Sequence, residues 1–130
     1  MQLRSVEGQF TGAELPPPLV QPLRWIRVGI AEDHPITRAA LRHWLEEQEG
    51  IRVVAEACCG LGAIELVRRE TLDVLLLDLE MPGQSGIDAL PMIRAKAPHV
   101  AVLVLSGYPE QQYAVPLIRN GASGYLSKGC

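Results

Sequence analysis

Four runs in this chain end in residues whose side chains can do chemistry. Ile26-Arg27-Val28-Gly29-Ile30 leads to Glu32 and Asp33, and Val74-Leu75-Leu76-Leu77 leads to Asp78. Val100 to Leu105 leads to Ser106, and Gly124-Tyr125-Leu126-Ser127 leads to Lys128. As parallel strands of one sheet, these runs bring their carboxyl ends to the crevice where open α/β sheets bind ligands. Three carboxylates, a hydroxyl and an ammonium then lie side by side. Three acids in one crevice raise pKa values among themselves unless a cation joins them. One or two carboxylates, with waters and a substrate phosphate, suit Mg²⁺. A carboxylate beside such a metal can attack a phosphoryl group to form an acyl phosphate. Lys128 and the Ser106 hydroxyl can hold the oxygens of that product. Transfer of this kind asks for positioning and charge neutralisation more than for covalent machinery.

Taken singly, each residue has an ordinary reading. Asp78 can cap a loop after its strand, and Glu32 and Asp33 can cap the helix that Pro35 opens. Ser106 alone carries little information, and a lone lysine is ordinarily a solvated charge. It is the shared position at strand ends that lifts them together.

The elements that must position these groups alternate along the chain. After the first strand, Glu32-Asp33-His34-Pro35 turns into a helix expected from about Pro35 to Glu49, with Ile36, Ala40, Leu41, Trp44 and Leu45 at helical spacing and Gly50 ending it. Val53-Val54-Ala55 reads as a second strand, and residues 62–70 as a short amphipathic helix. Val74 to Leu77 is apolar at every position, as in a strand covered on both faces. Met81-Pro82-Gly83-Gln84-Ser85-Gly86 is a loop before a third helix that ends near Ala97-Pro98. A fourth helix is expected over about Pro109 to Asn120, stopped by Gly121. Alternation of this kind predicts a doubly wound parallel sheet with helices on both faces. Pro91 and Pro116 fall inside the third and fourth helices, where each removes a backbone bond. Pro91 is read as close to the first turn, where the loss is small.

Residues 1–24 differ from the rest. Pro16-Pro17-Pro18 and Pro22 supply four of the ten prolines, and no strand or helix period appears, so an extended or disordered extension is expected. The formal net charge of −3 argues against this segment gripping nucleic acid by itself. Val100 to Leu105 is the longest apolar run and is far too short to cross a bilayer. Cys58, Cys59 and Cys130 are odd in number, with no C-x-x-C and no Cys/His cluster, which argues against a disulfide framework or zinc site. Reduced thiols of a cytoplasmic protein are expected.

Glu32-Asp33-His34-Pro35, Asp78-Leu79-Glu80-Met81-Pro82-Gly83, Ser106-Gly107-Tyr108 and Gly121-Ala122-Ser123-Gly124-Tyr125-Leu126-Ser127-Lys128 together resemble the receiver domain of two-component response regulators. The resemblance covers about residues 25–130 and is strongest to the NarL/FixJ subfamily, whose receivers usually precede a helix-turn-helix DNA-binding domain. It implies a flavodoxin-like fold, a five-stranded parallel sheet in the order 2-1-3-4-5. It implies Asp78 as phosphoacceptor, with Mg²⁺ held by Glu32, Asp33, Asp78 and the backbone carbonyl of Glu80. Ser106 is then the switch hydroxyl, Lys128 its salt-bridge partner, and Tyr125 the aromatic that turns inward when Ser106 shifts; Pro82 shapes the loop after the acceptor.

The partner implied is a sensor histidine kinase or phosphotransfer protein. DNA would be reached only through an output domain absent from this chain, and a homodimer is a further partner that the resemblance admits. Gly107, where a small side chain such as alanine is commoner, should leave the phosphate site open and mobile. Glu80 should alter the lifetime of the acyl phosphate. The sequence stops before a fifth helix, which suggests a receiver truncated before its last element, with the dimerisation surface of many relatives left incomplete.

Two other function classes compete with a signalling domain. Asp78-Leu79-Glu80 faintly resembles the acid-x-acid signature of haloacid dehalogenase phosphatases, but no residues are spare for a lid. A flavodoxin-like nucleotide binder would want a glycine-rich loop after the first strand, where this chain has Glu32-Asp33. A degenerate receiver acting only as a protein-binding module is the third alternative.

Overall fold

β1 (Ile26–Ala31), α1 (Pro35–Glu46), β2 (Ile51–Ala57), α2 (Gly60–Arg69), β3 (Val74–Asp78), α3 (Gly86–Lys96), β4 (Ala101–Ser106), α4 (Glu110–Arg119) and β5 (Gly124–Ser127) follow one another in strict alternation. The structure is a computed structural model that describes residues 24–81 and 86–128. The expectations for the proline-rich extension before Arg24, for Pro82 and for Cys130 fall outside those residues.

All five strands are parallel, in the order β2-β1-β3-β4-β5. This is the flavodoxin-like order that the resemblance implied. β3 is central and lies between β1 and β4, with Asp78 beside Leu105 in the register. Because side chains alternate across a strand, the apolar runs feed two cores. Leu75 and Leu77 of β3 join Leu66 of α2, Leu90 and Ile93 of α3, and Leu117 of α4 on one face. Leu76 joins Val28, Ile30, Val53 and Leu105 on the other, under Leu45 of α1.

Four sequence expectations are corrected in detail. α1 ends at Glu46 instead of Glu49, because its last turn tightens: the Gln48 N–H reaches back to the Leu45 carbonyl at 3.0 Å, a three-residue step. Its apolar stripe also divides: Leu45 is buried and Leu41 packs partly, but Ile36 and Trp44 are exposed. Arg38 and Arg42, on another side of the helix, both pair with Glu56 of β2. α2 begins at Gly60, two residues early, because the Cys59 thiol caps it by accepting from the Gly62 N–H at 3.3 Å. Pro91 is the sixth residue of α3, beyond the first turn, and Pro116 lies inside α4 as read.

Gly50 and Gly121 adopt φ of 85° and 114°, left-handed values suited to glycine, in the turns after α1 and α4. Gly86 is required for a different reason. A Cβ there would lie 2.6 Å from the Asp78 carbonyl oxygen and 2.8 Å from the Leu79 Cα, so α3 starts in backbone contact with the segment that carries Asp78.

Candidate functional site

Each strand of the inner sheet delivers one polar group to the same end. Glu32 follows β1, Asp78 closes β3 and Ser106 closes β4; all three are fully buried. Lys128 follows β5, and its backbone N–H donates to the Ser106 carbonyl at 2.7 Å, which fixes the lysine beside β4. Its ammonium then lies 3.1 Å from Asp78 Oδ1 and 3.2 Å from Glu32 Oε1. Asp78 Oδ1 also accepts from the Glu80 N–H at 3.1 Å. Asp78 Oδ2 is buried and has no hydrogen-bond partner.

The electrostatics follow from this sharing. Burial, aided by the Glu32 charge, raises the Asp78 pKa above the usual carboxylate range, against the pull of the Glu80 N–H and Lys128. Burial also pushes Glu32 upward, but hydrogen bonds from His34 and the Lys128 charge outweigh it and hold Glu32 below that range. Burial alone would lower Lys128; its bonds to Asp78 and Glu32 raise it instead. Glu32, Asp33 and Asp78 bring three negative charges against one ammonium, an imbalance that a divalent cation would offset. One ligand atom from each of Glu32, Asp33, His34 and Asp78 can be chosen so that all lie within 4.8 Å of one another. Carboxylate oxygens and an unpartnered buried acceptor fit a hard divalent ion.

The structure thus brings Glu32, Asp33, Asp78 and Lys128 into one cluster, with Ser106 at the end of the adjoining strand. Ser106 Oγ accepts from the Tyr108 N–H at 2.9 Å. Tyr125 is already buried, its hydroxyl donating to the Tyr108 carbonyl at 2.8 Å. The Gly107 N–H donates to Glu80 Oε2 at 3.3 Å, so the Glu80 side chain spans the gap between the β3 and β4 loops.

Two residues were missed by the sequence reading. His34 Nδ1 lies 2.9 Å from Glu32 Oε2 and 3.1 Å from Asp33 Oδ1, contacts that raise the imidazole pKa. Arg38 donates to the Glu32 carbonyl at 2.8 Å and ties α1 to the acidic turn. The adjacency of His34 to two acids was a signal; Arg38, on the next helix, gave none.

Residues 28–130 match the response regulator receiver domain family. The chain is 38% identical over 104 residues to the response regulator UvrY of Escherichia coli, covering 80% of this chain and 48% of that protein. It is 41% identical over 102 residues to the nitrate/nitrite response regulator protein NarP of Escherichia coli, covering 78% and 47%. The chain therefore spans about half the length of these curated relatives. Among solved structures it resembles a two-component response regulator of the LuxR family from Aurantimonas sp. SI85-9A1, with a TM-score of 0.76 at 35% identity, covering 80% of this chain and 74% of that one. The signal receiver domain of NarL from Mycobacterium tuberculosis gives a TM-score of 0.76 at 32% identity, covering 82% and 86%. A sheet of this order, an acidic cluster at its carboxyl end and these relatives agree: the chain belongs to the response regulator receiver domain family, in its NarL/FixJ-like branch.

Proposed function

We propose that Asp78 accepts a phosphoryl group from the phosphohistidine of a sensor histidine kinase or phosphotransfer protein, and that the phosphorylated site controls an output domain acting on DNA. The observation that carries this reading is Asp78 itself: buried, anchored through Oδ1 by Lys128 and the Glu80 N–H, and left with Oδ2 unpartnered. In the transfer Oδ2 forms the new P–O bond as the P–N bond breaks, and the electron pair leaves with the donor imidazole. Glu32, Asp33, Asp78 and the backbone carbonyl of Glu80 would hold Mg²⁺, which supplies charge neutralisation at the phosphoryl oxygens. Lys128 and the Ser106 hydroxyl take the oxygens of the product. Ser106 Oγ accepts from the Tyr108 N–H and still has its own proton to donate, so its movement toward a phosphoryl oxygen draws the β4–α4 loop and the contact with Tyr125 along with it.

On this reading residues 25–130 are the receiver, preceded by the 1–24 extension. It is a signalling phosphoacceptor that assists only its own phosphorylation and dephosphorylation. Among the described residues no helix is long and apolar enough to cross a membrane, and the cytoplasm, where the kinase presents its phosphohistidine, is the compartment the reading requires. Val115 and Ile118 on α4 and Leu126 on β5 are half or more exposed, apolar surface of the kind a homodimer would use.

Incubation with Mg²⁺ and a small phosphodonor, followed by intact mass, tests the acceptor. A single phosphoryl adduct is expected on the wild type and none on Asp78→Asn. An adduct of equal stoichiometry on the variant would place the acceptor elsewhere.

A further inference from the structure

His34 lies against the acidic cluster at the end of β1. Its Nδ1 lies 2.9 Å from Glu32 Oε2 and 3.1 Å from Asp33 Oδ1. Neighbouring donors on a six-coordinate ion with bonds of about 2.1 Å are about 3.0 Å apart, so both separations match one edge of a single octahedron. Burial supplies an independent observation. Glu32 and Asp78 expose no surface, and Asp78 Oδ2, within the same cluster, is an unpartnered acceptor. The other face of the imidazole is open: the His34 side chain is 64% exposed, so a neutral ring can keep its proton on Nε2 and give it to water while Nδ1 stays free to coordinate.

We propose that His34 Nδ1 is a protein ligand of the cation held by Glu32, Asp33 and Asp78, converting an all-oxygen site into a mixed nitrogen–oxygen site that favours Co²⁺ or Ni²⁺ over Mg²⁺. The inference rests on the metal reading given above. Imidazole suits the later first-row ions, whose affinity for nitrogen-containing sites rises from Mn²⁺ through Co²⁺ to Ni²⁺; Mg²⁺ gains little from nitrogen.

Mn²⁺ is the probe, because it accepts either donor set and reports its ligands spectroscopically. The full chain is loaded with Mn²⁺ above the imidazole's titration range and measured by pulsed electron paramagnetic resonance, alongside His34→Gln and Asp33→Asn. A directly bonded imidazole nitrogen is expected in the wild type and not in His34→Gln, whose fold is checked by circular dichroism. The same variant is expected to lose about tenfold or more in Co²⁺ or Ni²⁺ affinity and less than about twofold in Mg²⁺ affinity. Mn²⁺ that binds in an Asp33-dependent way without nitrogen coupling would overturn the role of His34 and leave the metal reading standing. Coupling that survives in His34→Gln would assign the nitrogen to another histidine, and would likewise overturn the role of His34 alone. A folded wild type that binds no Mn²⁺ would overturn the metal reading and this inference together.

Discussion

Asp78 and Glu32 are two buried carboxylates that share one ammonium, and the sharing is unequal. Burial opposes ionisation at Asp78, whereas at Glu32 the His34 backbone N–H and ring offset it, so ionisation is favoured at Glu32. A raised pKa means that the folded state binds this proton more tightly than the unfolded chain does, so the ionised form of Asp78 is a source of instability without metal. Asp78→Asn removes that charge while keeping the shape. It is expected to raise stability in the presence of a chelator, by on the order of 1 kcal/mol, the size of an ordinary single-site effect. Urea denaturation with EDTA measures this; a lowered midpoint would show that the ion pair with Lys128 outweighs burial. The site's principal groups were legible because each ends an apolar run, and strand ends are fixed by the fold. Where the His34 ring and the Glu80 carboxylate point was not, because the direction of a side chain in a turn depends on backbone angles that no residue spacing encodes.

At the scale of elements, Asp78, the proposed acceptor, is held by what starts next to it. α3 opens at Gly86, whose N–H donates to the Leu79 carbonyl at 3.2 Å and whose missing Cβ lets the helix abut the Asp78 carbonyl. The atoms in the way are backbone, so a methyl group cannot be accommodated by rotating a side chain. Gly86→Ala is expected to cost about 1–3 kcal/mol, the usual range for overpacking. It should also slow phosphorylation by more than the unfolded fraction accounts for, since the segment carrying Asp78 must shift. Urea unfolding and intact-mass time courses on the same sample separate the two effects; lost stability with an unchanged rate in the folded fraction would mean the junction does not position the acceptor. Element order was readable from alternation of apolar runs and turns, whereas helix ends and helix rotation were not. The Cys59 cap uses a thiol that capping preferences do not include, and Arg38 and Arg42 of α1 reach Glu56 on a strand far along the chain, a pairing no local pattern encodes.

Across the whole molecule, Lys128 is where the chemistry meets the rest of the sheet. Its ammonium touches the acids at the ends of β1 and β3, its backbone is bonded to β4, and β5 immediately before it carries Tyr125, tied to the β4–α4 loop. On the proposed reading, a phosphoryl group on Asp78 moves the negative charge outward along the new bond, and an ammonium that follows it pulls on β5. The Ser106 hydroxyl drawn to the same group pulls on the β4–α4 loop. The Tyr125–Tyr108 bond joins the two displacements, so the response should reach α4 only if both ends move. Lys128→Ala keeps the acceptor oxygen and all three acids, so it is expected to take the phosphoryl group, more slowly. What it loses is the connection to β5. In ¹⁵N–¹H spectra of the phosphorylated proteins, the wild type should show shifted amides at the ends of β1 and β3 and also at Tyr108, Tyr125 and along α4. The variant should show the first set without the second. Matching perturbations at Tyr125 and α4 in both proteins would mean that the signal leaves the site through Ser106 alone, and that the lysine neutralises charge without transmitting anything.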